Sequence, residues 1–412
     1  MKFDELKLHP SLLKAVKDQN YLTPTKIQEK AIPLILNKKD ILGSAQTGTG
    51  KTAAFALPIL HHLIIEKKQN SKISVQVLIV TPTRELAIQI GESFTSYSKY
   101  IDIKNTVIFG GVKQGKQTEI LQKGVDILIA TPGRLLDLMG QGFISLKNVS
   151  YFVLDEADRM LDMGFINDIK KLLEKLPSKR QSLFFSATMP SNIIKLSNSI
   201  LNDPEKVAVH QISTTAETIK QVIYYTNKSD KKDLLNHILN DKIITQVLVF
   251  CRTKHGADRV VRNLTKIRID AAAIHGDKSQ VQRQRALQSF KEKRIRVLVA
   301  TDIAARGIDI DKLNYVINYD IPNEAETYVH RIGRCGRAGE KGQSISICEP
   351  EENVYTKDIE KLIKQSIKEI KNNPYPQTDL PMNVKEKKEF EKQKQKKKQE
   401  FFANRKNNKK RK

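Results

Sequence analysis

Cysteine is scarce in this chain: Cys251, Cys335 and Cys348 are the only three in 412 residues. They lie far apart and follow no metal-ligating spacing, which argues against a disulfide framework and a zinc site. No apolar run is long enough to span a bilayer, and the N-terminal MKFDELKLHP lacks the apolar core of a signal peptide. A cytoplasmic protein with no membrane partner is expected. Acid is also in short supply, with 71 Lys and Arg against 46 Asp and Glu, a net charge of +25. Such an excess points to a polyanionic partner, most often nucleic acid, rather than to a merely basic soluble protein. The length allows two or three domains with sizeable cores. Only the last thirty residues, 383–412, have too few apolar side chains to make one; they hold 14 Lys and Arg against 4 Asp and Glu, a net of +10. They read as a disordered basic tail or a frayed helix.

What is present is organised around DILGSAQTGTGKTAAFA, residues 40–56. A short apolar strand ends near Leu42, a Gly-rich turn follows, and an apolar run from Ala53 to Ile65 suits a helix. Strand, glycine turn and helix make a phosphate cradle in which backbone N–H groups and the helix N-terminus face the anion. Lys51 would reach the β- and γ-phosphates, and the Thr52 hydroxyl would ligate Mg²⁺. The full pattern wants glycine at both ends, and Ala45 stands at the first. Gly-Lys-Thr in an ordinary turn is the competing reading; the flanking strand and helix favour a nucleotide.

Before the cradle, residues 1–39 carry helical patterns, with Thr23 a candidate cap ahead of Pro24. After it, β-rich runs recur at 77–80, 106–109, 127–130, 151–154, 182–185 and 206–209, then at 221–225, 246–250, 271–274, 296–300, 315–318 and 344–348. Helical patterns separate most of them, which predicts an α/β protein with parallel sheets covered on both faces. The polar HQISTTAETI at 210–219 interrupts the series and reads as a linker. The expected division is a nucleotide-binding domain over 1–209, the linker, a second domain over 220–370 and a basic tail over 371–412. A faint echo, ILIAT at 127–131 and VLVAT at 297–301, fits two related halves.

Polar clusters fall just after the expected strands, where open α/β sheets bind ligands. Asp155 ends an apolar strand and can hold Mg²⁺, usually through water; Glu156 beside it can deprotonate an attacking water. The plainer alternative is that these acids cap the next helix. The second half lacks a phosphate loop and offers HRIGRCGRAG at 330–339 instead. Arginines every three residues among glycines suit the transition-state charge of phosphoryl transfer, or equally a plain RNA-contact patch.

Together these segments resemble the DEAD-box RNA helicases over about Phe3 to Ser366. The resemblance rests on Phe3 and Gln28, AQTGTGKT at 45–52, PTREL at 82–86, Gly110-Gly111, TPGR at 131–134, DEAD at 155–158, SAT at 186–188, VFCRT at 249–253, Gln280 with Arg283, ATDIAARGID at 300–309 and HRIGRCGRAG at 330–339. The short core with a basic tail is similar to the bacterial RhlE-like subgroup. The resemblance implies two RecA-like domains with ATP, Mg²⁺ and RNA bound across their cleft. In that reading Gln28 reads the adenine edge and Phe3 stacks on the base. The loop Ala45, Gln46, Thr47, Gly48, Thr49, Gly50, Lys51 and Thr52 holds the phosphates, with Asp155 on the metal side. Glu156 is the general base, Asp309 meets the ribose, and Arg334 and Arg337 meet the γ-phosphate. Ser186, Thr188, Asp158 and His330 couple the domains. Arg84, Gly111, Thr131, Arg134, Thr253, Arg283 and Thr301 grip the RNA backbone, which carries little sequence preference. The implied activity is ATP-dependent unwinding of short RNA duplexes or remodelling of RNA–protein complexes by a monomer, with ribosomal or RNA-decay proteins as partners. A non-unwinding RNA clamp is the first alternative, and a DNA helicase of another RecA-like family the second. Asn20 and Lys26 are unusual around Gln28, and Cys335 replaces the usual Thr between the arginines. A thiol among arginines could gain reactivity; an inert small residue is the plainer reading.

Overall fold

In the computed structural model the described residues are 1–45, 48–66, 73–209, 219–305, 310, 313–335 and 342–381. The chain divides into two compact units, the first made of Met1–Ser213 with Ser279–Val281 and Ala304–Ile310, the second of Thr214–Lys278, Gln282–Ile303 and Asp311–Lys412. Each is built on one seven-stranded, all-parallel sheet.

The strands of the first unit are β1 (Ile41–Ser44), β2 (Val77–Val80), β3 (Asn105–Ile108), β4 (Ile127–Ala130), β5 (Tyr151–Leu154), β6 (Gln181–Ser186) and β7 (Glu205–Ala208), in the order β3-β4-β2-β5-β6-β1-β7. The central strands are short runs of Val, Ile, Leu and Phe because helices bury them on both faces. Successive side chains part to opposite sides of the sheet. Val77, Ile79, Ile127, Ile129, Val153 and Phe185 join one core, while Leu78, Val80, Leu128, Phe152, Leu154 and Phe184 join the other.

The second unit holds β8 (Ile219–Tyr225), β9 (Val247–Phe250), β10 (Ala271–Ile274), β11 (Val297–Ala300), β12 (Tyr315–Asn318), β13 (Gly342–Cys348) and β14 (Lys368–Glu369), in the order β10-β11-β9-β12-β13-β8-β14. Strand for strand this is the order of the first sheet. The sequence echo therefore has a place in the fold: ILIA is β4 and VLVA is β11, each second from the edge.

Where a phosphate loop would stand in the second unit, an internal ion cluster stands instead. Lys231, the first residue of the helix Lys231–Leu239, is buried, with Nζ 2.9 Å from Asp320, 3.1 Å from Glu352 and 3.6 Å from Glu349. Arg252 also pairs with Glu352, and its backbone N–H donates to Asp320 at 2.8 Å. Burial alone would lower the Lys231 pKa; the three carboxylates outweigh it and hold the ammonium charged. Burial pushes the Glu352 carboxyl up.

Three expectations are corrected. Residues 371–381, assigned to the tail, are pinned to the second unit: Asn373 Nδ2 and the Gln377 N–H donate to Tyr225 O, and the Thr378 and Asp379 N–H groups donate to Asn227 Oδ1 at 2.9 Å. Hydrogen bonds to Tyr225 at the end of β8 and to the Asn227 side chain just beyond it hold a segment that has little apolar content to hold it. The short edge strand β14 escaped notice because its Lys-Glu pair carries no apolar signal. The N-cap residue of the helix Lys26–Leu36 is Thr25, not Thr23, and its backbone N–H donates to Gln28 Oε1 three residues on at 2.9 Å. The expected tail 382–412 and most of the linker, 210–218, lie outside the described residues. Among those described, no helix is long and apolar enough to cross a membrane.

Replacing Lys231 with Met should destabilise the protein by about 3–5 kcal/mol, the cost of removing one partner from a buried ion pair. Urea unfolding measures it, and a loss below about 1 kcal/mol would show that the carboxylates do not depend on this lysine.

Candidate active site

The phosphate loop leaves β1 in the middle of the first sheet and enters the helix Lys51–Glu66. Gly48 and Gly50 take φ of +80° and +90°, conformations open to glycine and strained for other residues. At Gly50 the side-chain space is also taken: a Cβ there would lie 2.5 Å from Gln28 Nε2. Gln28 is buried and committed, accepting from the Thr25 N–H at 2.9 Å and donating to Gly50 O at 3.1 Å. It therefore ties its own helix to the phosphate loop, a structural duty beyond the base-reading one expected of it.

Lys51 and Asp155 face each other inside the unit. Lys51 is 6% exposed and Asp155 2%. Nζ and Oδ1 are 3.7 Å apart, too far for a hydrogen bond, and neither atom has a hydrogen-bond partner among the described residues. Buried polar atoms are nearly always satisfied, so two facing each other unsatisfied mark a place for another group. An ammonium and a carboxylate at the start of a helix fit a phosphate with its divalent cation, so the residues suit ATP and Mg²⁺. Burial pushes the Asp155 carboxyl up to about 6, against the pull of Lys51 and with the push of Glu156.

Glu156 follows at φ +58°, a left-handed conformation rare for a side-chain-bearing residue. It occupies the N-cap position of Ala157–Asp162 yet makes no side-chain cap hydrogen bond, so the capping alternative fails for this residue. Its carboxylate is buried and pairs with Arg159. Asp158 accepts at one oxygen, Oδ2, from Thr188 N–H (2.9 Å), Thr188 Oγ1 (3.0 Å) and Ala187 N–H (3.1 Å). Ser186 Oγ closes the knot by donating to Thr188 O at 2.8 Å and accepting from the Asp158 N–H at 3.3 Å. Burial would raise the Asp158 pKa; Lys51, Arg159 and the Thr188 hydrogen bonds prevail and hold it below its ordinary value. The turn after β5 and the turn after β6 are thus tied together by these hydrogen bonds.

A second group gathers beyond β2, β3 and β4. Arg84 opens the helix Arg84–Tyr97, and its guanidinium lies against Gly111, where a Cβ would collide with it at φ +74°. Arg134 donates to Val112 O at 3.1 Å, and Thr131 stands at the N-cap position of the helix Pro132–Gly140 without a side-chain cap hydrogen bond. Four of the expected backbone-gripping residues are therefore neighbours on one sheet edge.

In the second unit, Thr253 caps the helix Lys254–Lys266 by accepting from the Gly256 N–H at 3.0 Å, and Thr301 follows β11. Arg283 lies on the helix Gln280–Lys291. The regularly spaced arginines part company. Arg331 is spent inside the unit, bidentate to Asp302 at 2.6 and 2.8 Å and donating to Asp320 O at 2.6 Å. Arg334 is buried just beyond the helix Ala325–Ile332, which carries His330. Gln46, Thr47, Asp309 and Arg337 lie outside the described residues. Cys335 is fully buried, its thiol donating to Ile332 O at 3.1 Å, so the reactive reading loses its access to oxidant.

Phe3, expected to stack on a base, has its ring packed against protein. It sits in the core at 5% exposure, stacked beneath Tyr21 with centroids 6.4 Å apart, and Tyr21 is 41% exposed. Sequence reasoning passed over Tyr21, whose signal was an aromatic ahead of the Thr-Pro turn. It also passed over the Arg331–Asp302 pair, which nothing in the spacing distinguishes from its neighbours.

Two units with the same parallel-sheet order, one bearing a phosphate loop with a buried acid beyond the neighbouring strands, define a tandem RecA-like nucleotide hydrolase. Residues 25–196 match the family description DEAD/DEAH box helicase, and residues 230–339 match helicase conserved C-terminal domain. The chain is 43% identical over 371 residues to the ATP-dependent RNA helicase CshA of Listeria monocytogenes, covering 90% of this chain and 70% of that one. It is 40% identical over 371 residues to the ATP-dependent RNA helicase DeaD of Buchnera aphidicola, covering 90% of this chain and 61% of that longer protein. Saccharomyces cerevisiae Dbp5 bound to RNA and ADP BeF3 superposes with a TM-score of 0.78 at 32% identity, over 90% of this chain and 95% of that chain. The chain belongs to the DEAD-box family of ATP-dependent RNA helicases. These matches establish the family and do not single out the RhlE-like subgroup.

Because the raised Asp155 pKa penalises the ionised fold, Asp155→Asn should stabilise the ligand-free protein. The sign follows from a folded-state value of about 6 against an ordinary 3.8: wild-type stability is favoured below 3.8 and is lost as pH rises through 6. In EDTA at pH 7 the variant should unfold at higher urea than wild type, with the gap closing toward pH 4. A variant that unfolds at lower urea throughout would refute this account of the carboxylate.

Proposed function

We propose that this chain couples ATP hydrolysis to the local opening of short RNA duplexes, with the buried unsatisfied pair Lys51 and Asp155 at the reaction centre. That pair is the single observation that carries the reading. Mg²⁺ bound there would neutralise developing phosphate charge and orient the transferring group. Lys51 receives the outer phosphate oxygens, and Thr52 and Asp155 hold the metal side. Glu156, fixed by its left-handed backbone and by Arg159, accepts the proton of the attacking water. Arg334 and Arg337 supply positive charge to the transition state. Tyr21 in place of Phe3 supplies the exposed ring against the base, and Gln28 keeps the loop in register while reading the adenine edge.

Asp158, Ser186 and Thr188 transmit the state of the nucleotide site along one hydrogen-bonded turn, with His330 as the matching contact of the second unit. Arg84, Gly111, Thr131 and Arg134, with Thr253, Arg283 and Thr301, hold RNA by its backbone, so sequence preference is low and 2′-hydroxyl contacts favour RNA over DNA. The protein acts as a cytoplasmic monomer, with ribosomal or RNA-decay proteins as partners.

Lys51→Ala should abolish RNA-stimulated ATP hydrolysis with the fold intact; near-normal turnover would remove the loop from the reaction. Glu156→Gln should bind ATP and RNA yet hydrolyse slowly, because an amide cannot take the proton. Displacement of one strand from a duplex shorter than about one helical turn separates unwinding from clamping. ATP-dependent displacement by wild type is expected, and ATP-dependent RNA retention without displacement would assign a clamp.

A further inference from the structure

The helix Lys254–Lys266 buries Ala257, Val260 and Leu264 against the second sheet. At about 100° per residue, His255, Arg259, Arg262 and Lys266 fall within an arc of about 60° directly opposite that buried stripe. All four are exposed. None of Arg259, Arg262 and Lys266 has a hydrogen bond or ion pair among the described residues. The helix's one acid, Asp258, lies about 40° outside the arc, and its carboxylate is taken up 2.9 Å from Lys278 and 3.1 Å from His275.

Soluble helices ordinarily mix the two signs on a solvent face, since like charges three or four residues apart destabilise the helix. Here Arg259 repels Arg262, and Arg262 repels Lys266, with no acid between them. A surface that gives up stability in this way is matched to a partner that supplies the missing negative charge. The stripe begins beside Thr253, at the carboxyl edge of β9, and runs about 16 Å back along the helix. A partner with evenly repeated negative charge along one line fits it better than a compact anion does.

We propose that this helix face is an auxiliary track for the phosphodiester backbone of RNA, continuing from the Thr253 end and engaged only by strands long enough to run along it. The proposal rests on the RNA-helicase reading above. The three permanent cations would neutralise up to three phosphates, and with single strands each contributes about −0.7 to the slope of log affinity against log salt. The contacts are to backbone, so the track adds affinity without sequence preference.

The test compares the full-length protein with its Arg259→Gln/Arg262→Gln/Lys266→Gln variant, glutamine being a comparable helix former. Binding is measured across a salt series with single-stranded RNAs of about 6 and about 20 nucleotides. For the longer strand the variant's slope should be shallower by about 2, so that tripling the salt shrinks the wild-type advantage about ten-fold. For the short strand the two proteins should agree, and ATP turnover at saturating RNA should be equal. An unchanged slope with the longer strand overturns the track and leaves the face to an acidic protein partner. An equal change with both strands overturns it too, because the cations would then act through the general field. Wild-type ATPase stimulated by the short strand tests the helicase reading independently, since that strand does not need the helix.

Discussion

Everything in the first unit follows from an ammonium and a carboxylate buried 3.7 Å apart and kept from bonding. The glycine turn and the helix start fix one, and the end of a central strand fixes the other, with the Asp155 N–H held by Val80 O at 3.0 Å. The parallel sheet is what makes this possible. It brings the carboxyl ends of β1, β5 and β6 to one edge while the cores on both faces hold the strands rigid.

Around that gap, polar groups are used as struts. Gln28 braces the phosphate loop from outside, and Asp158 ties the turn beyond β5 to the turn beyond β6. Glu156 is held between them in a backbone conformation it would not choose alone. Strain at the residue assigned to proton transfer is sustained because the neighbouring turn and Arg159 over-determine its position. The arrangement favours a poised site over a relaxed one, the usual relation between stability and activity.

Much of this was legible in the chain. The strands announced themselves because burial on both faces demands unbroken apolar runs, as in Val77–Val80 and Tyr151–Leu154. The clusters that follow them were legible because ligands bind where parallel strands end. The phosphate loop could be read despite Ala45. What could not be read depends on through-space partners. The capping role of Thr25 requires knowing that Gln28 turns back to it. The burial of Phe3 under Tyr21 requires the packing of the first two helices. The division of labour between Arg331 and Arg334 is invisible in a repeat that treats them alike. The anchoring of residues 371–381 rests on hydrogen bonds to Tyr225 and Asn227, about 150 residues earlier, which leave no trace in the apolar pattern.

The two units repeat one strand order, yet only one of them keeps its central charges apart. In the other, Lys231 opens the helix after β8 as Lys51 opens the helix after β1, and Asp320 follows β12 as Asp155 follows β5. There the lysine is already saturated by Asp320, Glu349 and Glu352, at distances of 2.9 to 3.6 Å. One copy of the architecture is an open socket and the other is a socket with its plug built in. The difference is local: the lysine that opens the helix after β8 is already paired, and the one that opens the helix after β1 is not.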